Sequence, residues 1–265
     1  MKIYVSVDME GIAGIAYKEQ TTRGELLYPE SRQLLTDEVN AVVEALVQAG
    51  AEEIIVKDAH ATGLNFLYDR LHPSASYVLG PAVMANRFPG LDATFDGAVL
   101  IGYHAMAGTQ EAILDHSWSF ADIYGLELNG APIGEIGFEA LLFGLHGVPV
   151  IFVSGDDKTC AEAKRQLGSV FTYETKKATG RHSGLLKAPK RVYAEIGGVM
   201  GEAVRRRKEC SAYSIPGPYE MKISYMNTSL ADAHYYNETD TFRLDGRTRL
   251  LKDDDLLRLL SRTFH

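Results

Sequence analysis

Apolar residues come in short unbroken runs along the first part of the chain: Ile3-Tyr4-Val5-Ser6-Val7, Ile54-Ile55-Val56, Ala98-Val99-Leu100-Ile101 and Val150-Ile151-Phe152-Val153. Runs of this length without polar alternation predict strands covered on both faces, here at 2–7, 53–57, 97–103 and 148–153. Between the first two, Leu34, Leu35, Val39, Val42, Val43, Leu46 and Val47 recur at helical spacing. Gly50 supplies a stop, so a helix is expected over 30–49. Strands alternating with helices predict βαβ units with right-handed crossovers. The fold class expected is α/β, a mostly parallel sheet flanked by helices.

The pattern changes at 123–133. Ile123-Tyr124-Gly125-Leu126-Glu127-Leu128 is followed by Asn129-Gly130 and then Ala131-Pro132-Ile133. Asn-Gly between apolar runs is a strong hairpin signal, so an inserted β-hairpin precedes a helix at 135–146. A second helix is expected at about 157–167. Residues 170–225 are mixed, with a strand at Met221–Tyr225. The chain closes with a short helix carrying Asp253, Asp254 and Asp255 in its first turn. This gives an α/β core over 1–170 and a smaller C-terminal α+β portion over 171–265, read as belonging to the same single domain or as a small addition to it.

The 265 residues suit one large α/β domain, and 46% hydrophobic content supplies a core at that length. With 27 Lys and Arg against 35 Asp and Glu the net charge is −8, which disfavours a nucleic-acid partner. The one basic run, Arg205-Arg206-Arg207-Lys208, reads as a solvated helix face. No apolar stretch reaches the ~18 residues needed to span a bilayer, and no basic-then-apolar leader follows Met1. The only cysteines, Cys160 and Cys210, are far apart, and Cys160 fits a helix as a small packing residue. A cytoplasmic protein without a disulfide is therefore expected.

The chemistry lies where the apolar runs stop. Asp8 and Glu10 follow the first run, His60 the second and His104 the third. Parallel sheets gather their functional groups at the carboxyl ends of the strands, so three strand ends predict one site. Asp8 and Glu10, two apart, face one side of the chain, and two carboxylates on one side repel unless a cation or proton separates them. Gly11 and Gly14 allow a sharp turn beneath them. Asp58 is placed to orient the His60 ring. Taken singly, each has an ordinary alternative: an acidic turn, a polar cap, or, for Glu135 at a helix start, a carboxylate complementing the helix dipole. His116, in Asp115-His116-Ser117, reads alone as a structural or exposed polar residue.

Taken in order, these segments resemble a known family. Ser6-Val7-Asp8-Met9-Glu10-Gly11, Asp58-Ala59-His60, Gly102-Tyr103-His104-Ala105, His116-Ser117 and Gly134-Glu135 are similar to the DppA-type D-aminopeptidases, the M55 family of zinc peptidases. The likeness continues through Leu71-His72-Pro73, Gly90-Leu91-Asp92 and Gly155-Asp156-Asp157, and is strongest over about residues 1–185. It implies a two-zinc aminopeptidase acting on peptides with an N-terminal D-amino acid. The implied ligands are Asp8, Glu10, His60, His104 and Glu135, with Asp8 bridging and His116 catalytic. The family also implies ring-like homo-oligomers, commonly described as decamers. Lys176 and Arg181 match basic positions that could take the carboxylate of a short peptide. Beside His116 the chain departs from the family pattern: the segment from His104 is one residue longer, and Asp115 replaces a small polar residue.

Five such ligands exceed one tetrahedral zinc but suit two metals sharing a carboxylate. A two-metal hydroxide mechanism is then expected, with His116 as general acid, oxyanion stabiliser or, less needed, nucleophile. Two other readings remain at this stage. One is a two-metal hydrolase of another amide or a phosphoester, although no Walker-type phosphate loop is visible. The other is a non-catalytic metal-binding scaffold.

Overall fold

The computed structural model describes residues 1–264. The chain runs β1 (Lys2–Val7), α1 (Lys18–Thr21), α2 (Tyr28–Gln48), β2 (Glu53–Asp58), β3 (Ser76–Val78), β4 (Gly97–Ile101), β5 (Ile123–Leu128), β6 (Ala131–Pro132), α3 (Glu135–Gly144), β7 (Val150–Asp156) and α4 (Asp157–Leu167). It continues through β8 (Phe171–Gly180), β9 (Ser183–Leu186), α5 (Pro189–Arg205), β10 (Tyr219–Tyr225), α6 (Thr228–Asp232), β11 (Thr241–Arg243), β12 (Thr248–Asp253) and α7 (Leu256–Thr263).

Two sheets form. The larger has the order β3-β2-β1-β4-β7-β8-β9, parallel throughout except for β9, which returns antiparallel beside β8. Its apolar runs are buried on both faces, as their lack of alternation requires. Ile3, Val5, Val7, Val99 and Ile101 pack with α2 and α5 through Val39, Leu46, Ile196 and Met200. Tyr4, Ala98 and Leu100 face the other way, toward Phe138 and Leu141 of α3. Strand and helix positions agree closely with the sequence reading. Two differences matter. β4 stops at Ile101, so Tyr103 and His104 already lie in the loop, and β7 runs on to Asp156.

The smaller sheet, β11-β12-β10-β5-β6, is antiparallel. The expected hairpin is present, with Asn129 at φ 51° and Gly130 at φ 79° as a two-residue turn needs. It pairs with the C-terminal strands: Leu126 sits opposite Ile223. Residues on both sides of position 170 thus contribute to each sheet, since β8 and β9 extend the larger one. The mixed region resolves into β8, β9 and α5, whose first residue is Pro189. At the C-terminus the acidic residues precede α7 instead of occupying its first turn. Asp253 ends β12, and the Asp255 carboxylate accepts the Arg258 N–H at 2.8 Å as the cap. A cap side chain satisfies an open helical N–H directly, which a charge further along the helix cannot do. No helix among the described residues is long and apolar enough to cross a membrane. Both cysteines are free and buried.

Candidate metal centre

In the larger sheet β1 lies between β2 and β4, and the order reverses at β1, a switch point where the carboxyl ends open a crevice. Asp8 and Glu10 leave β1, His60 leaves β2 and His104 leaves β4. The strand ends are held tightly together. The Asp8 N–H donates to the Ile101 carbonyl at 2.8 Å, and the Gly11 N–H to the Gly102 carbonyl at 2.7 Å. Gly102 has φ 70°, and a Cβ on Gly11 would lie 2.1 Å from the Tyr103 carbonyl oxygen. Only glycines permit this approach, which sets the Asp8–Glu10 turn against His104.

The structure brings Asp8, Glu10, His60, His104, His116 and Glu135 together. Asp8 faces both ways: His60 Nδ1 is 3.0 Å from its Oδ1, and His104 Nε2 is 3.3 Å from its Oδ2. Glu10 Oε2 lies 3.3 Å from the same His60 nitrogen. Glu135, the first residue of α3, places Oε1 3.3 Å from His104 Nε2 and 3.7 Å from His116 Nε2. The backbone N–H of Trp118 donates to that oxygen at 2.7 Å.

Each imidazole donates its other nitrogen to a backbone carbonyl: His60 Nε2 to Thr21 at 2.9 Å, His104 Nδ1 to Ala105 at 3.1 Å and His116 Nδ1 to Leu114 at 2.9 Å. A carbonyl only accepts, so in a neutral ring the lone pair sits on the opposite nitrogen, aimed at the carboxylates. Lone pair against carboxylate repels, and a cation between them removes the conflict. Glu10 Oε2 and His104 Nε2 are buried without a hydrogen-bond partner, a further sign that positive charge belongs there. Burial alone would lower the pKa of His60 and His104, but the facing carboxylates raise both well above the usual range. Burial opposes ionisation of Asp8 and Glu135 as well; the two imidazoles beside Asp8 outweigh it, and His104 does so for Glu135, holding both low. The donor set of carboxylates and imidazoles fits zinc. Two groups have ligand atoms within 4.8 Å of one another: Asp8, Glu10 and His104, and His104, His116 and Glu135.

Three neighbouring roles differ from expectation. Asp58 does not touch the His60 ring. Its carboxylate accepts from the Asn65 N–H at 2.5 Å and Asn65 Nδ2 at 2.8 Å, while the Thr21 carbonyl orients the imidazole. Lys176 does not face the cavity. It is buried and donates to the carbonyls of Glu10, Ile12 and Ile15 at 2.6, 2.9 and 2.5 Å, clamping the loop behind the carboxylates. Arg181 does line the cavity, paired to Asp115, which also accepts the Gly108 N–H. Asp115 therefore steadies the loop that carries His116. That loop is conformationally costly: Glu111, Leu114 and Trp118 all have positive φ, at 55°, 53° and 65°.

The carboxylates and imidazoles open on a cavity of about 650 Å³, walled by Leu114, Trp118 and Phe120. Sequence reasoning missed Trp118, which directly follows the His116-Ser117 motif, and also Thr21 and the cavity cations Lys18, Arg23 and Arg87, which reach the site from segments that carry no motif.

Buried carboxylates and imidazoles at a sheet switch point, opening on a cavity sized for a small ligand, fit a metal-dependent hydrolase. The chain belongs to the peptidase M55 family, the D-aminopeptidases, whose pattern matches residues 1–263. It is 31% identical over 236 residues to a D-aminopeptidase of Bacillus subtilis (strain 168), covering 88% of this chain and 84% of that one. Among solved structures it is similar to the Zn-dependent D-aminopeptidase DppA from Bacillus subtilis, a self-compartmentalizing protease. The TM-score is 0.91 at 28% identity, over 100% of this chain and 97% of the other.

Proposed function

We propose that this enzyme is a two-zinc aminopeptidase that removes an N-terminal D-amino acid of the D-alanine type from short peptides. The observation that carries the reading is the position of Asp8, whose two oxygens face imidazoles from different strands, as a shared ligand requires. His60 and Glu10 would complete one position, and His104 and Glu135 the other. When bound, the metals supply Lewis acidity toward the scissile carbonyl and lower the pKa of water.

The chain's own groups do the rest. With Glu10 and Glu135 committed to the metals, the substrate's amino group would be taken at the centre that they hold. His116 presents Nε2 to the cavity, its other nitrogen fixed on the Leu114 carbonyl, so that Nε2 can take a proton from the attacking water and pass it to the leaving amine. Trp118 keeps Glu135 in place through its N–H, and the Leu114, Trp118 and Phe120 walls limit access of bulk water. The kinship with a self-compartmentalizing protease supports a homo-oligomeric ring, a decamer in this reading. Two free, buried thiols are compatible with action in the cytoplasm. The test is a panel of D- and L-aminoacyl amides and short peptides with metal-counted protein. Turnover of D-substrates at about two zincs per chain supports the reading; full activity without metal, or turnover of L-substrates alone, overturns it.

A further inference from the structure

Four of the side chains around the cavity are lysines or arginines, and they are not equivalent. Arg87 is committed to Glu139, with Nη2 2.7 Å from Oε1, and Arg181 to Asp115. Lys18 and Arg23 have no such partner: among the described residues no carboxylate lies within ion-pair distance of either. Lys18 rests its ammonium 4.0 Å over the Phe120 ring. Arg23 donates only to the Leu64 carbonyl, at 3.3 Å. Both flank Thr21, whose carbonyl holds His60, so the segment that orients one imidazole also presents two open cations to the cavity.

The floor of that cavity carries Asp8, Glu10 and Glu135. Those carboxylates would hold the metals, so the floor is where a free amine would be taken, and the unpaired cations at the mouth face the opposite, anionic end of such a ligand. We infer that Lys18 and Arg23 form a carboxylate subsite that selects short peptides with a free C-terminus, an inference resting on the aminopeptidase reading above. Phe120 stands edge-on to His116 at 6.5 Å between centroids. The ammonium is therefore no further from His116 than these two contacts end to end. About three extended residues, at roughly 3.3–3.6 Å each, cover that span. His116 meets the leaving amine, so these residues lie after the scissile bond: peptides of up to about four residues fit, and longer chains carry their carboxylate past the cations.

The experiment compares D-alanyl-D-alanine with its C-terminal amide in the metal-loaded enzyme, the Lys18→Ala/Arg23→Ala double variant and the two single variants. A third peptide, amidated but bearing an acidic side chain at its second residue, separates an α-carboxylate from a side-chain carboxylate. The unaltered enzyme should prefer the acid over the plain amide by about tenfold or more, expressed in KM. The double variant should bring that ratio to near one, with each single variant between, and the acidic amide should not recover the preference. No acid preference in the unaltered enzyme, or an undiminished preference in the folded variants, overturns the subsite. Recovery by the acidic amide overturns its assignment to the C-terminus. Inactivity of the unaltered enzyme on all three peptides overturns the aminopeptidase reading itself, and this subsite with it.

Discussion

The rings of His104 and His116 lie face to face, 3.8 Å between centroids and 13° from parallel, and both direct Nε2 at the same oxygen of Glu135. His104 is buried against Asp8 as well, whereas His116 borders the cavity. One ring is thus placed to hold a cation and its neighbour to reach the substrate. His116→Ala should retain the zinc content of the unaltered enzyme and lose about 10²–10⁴ in kcat, the usual value of a positioned acid or base. Metal analysis beside steady-state kinetics checks this. Loss of one metal together with turnover would make His116 a ligand, a role its distance to Glu135 also permits.

Gly11 and Gly24 give a controlled contrast. A Cβ at Gly11 meets backbone, the Tyr103 carbonyl oxygen at 2.1 Å and the Gly102 carbonyl carbon at 2.6 Å, neither of which can swing aside. Gly24 has φ 94° and open space around it. Gly11→Ala should cost about 3–5 kcal/mol and lower metal content, because the Asp8–Glu10 turn must move. Gly24→Ala should cost about 1 kcal/mol, from backbone strain alone. Urea unfolding of both variants measures the difference.

The unbroken apolar runs made the parallel sheet legible, because strands buried on both faces cannot alternate. The strand-end rule then brought Asp8, Glu10, His60 and His104 to one place before any coordinates. Asn129-Gly130 gave the hairpin, but its partner β10 lies about a hundred residues on, and no local pattern encodes such pairing. Residues 171–205 were unreadable for a similar reason. β8 mixes Thr172, Glu174, Lys176 and Lys177 into a central strand, and Lys176 is tolerated there only because three carbonyls from a distant loop receive it. The Asp58 role went astray because sequence proximity to His60 said nothing about Thr21 arriving from another segment.

Lys176 carries a prediction of its own. Its ammonium is the shared donor for three carbonyls of the loop behind Glu10, and burial lowers its pKa to about 8, partly offset by Asp156, Glu38 and Glu10. Lys176→Met keeps the apolar stem and removes the charge. The carbonyls lose their donor and Glu38 its facing cation, so stability should fall by roughly 3–5 kcal/mol. With Glu10 less well held, zinc affinity should drop by about 10–100-fold. Titration with a competing chelator separates the second effect from the first. An unchanged affinity would show that the loop is held without Lys176.

Glu38 supplies a pH signature. It lies fully buried on α2, accepts the Ala13 N–H at 2.9 Å through one oxygen and leaves the other without a partner. Burial raises its pKa from 4.5 to about 7, against the lowering effects of the Ala13 bond and Lys176. Between those values the folded protein keeps a proton that the unfolded chain has released. The contribution to stability is thus fully present below about pH 4.5 and is lost as pH rises through about 7. The loss approaches 1.36 kcal/mol for each unit of pH within that window, or about 3 kcal/mol across it. Glu38→Gln cannot titrate, so its stability relative to the unaltered enzyme should improve by about that amount from pH 4.5 to 7.5 and stay level beyond. Paired urea unfolding curves at half-unit steps measure it, and a pH-independent difference between the two proteins would mean that Glu38 is ionised in the fold throughout the range.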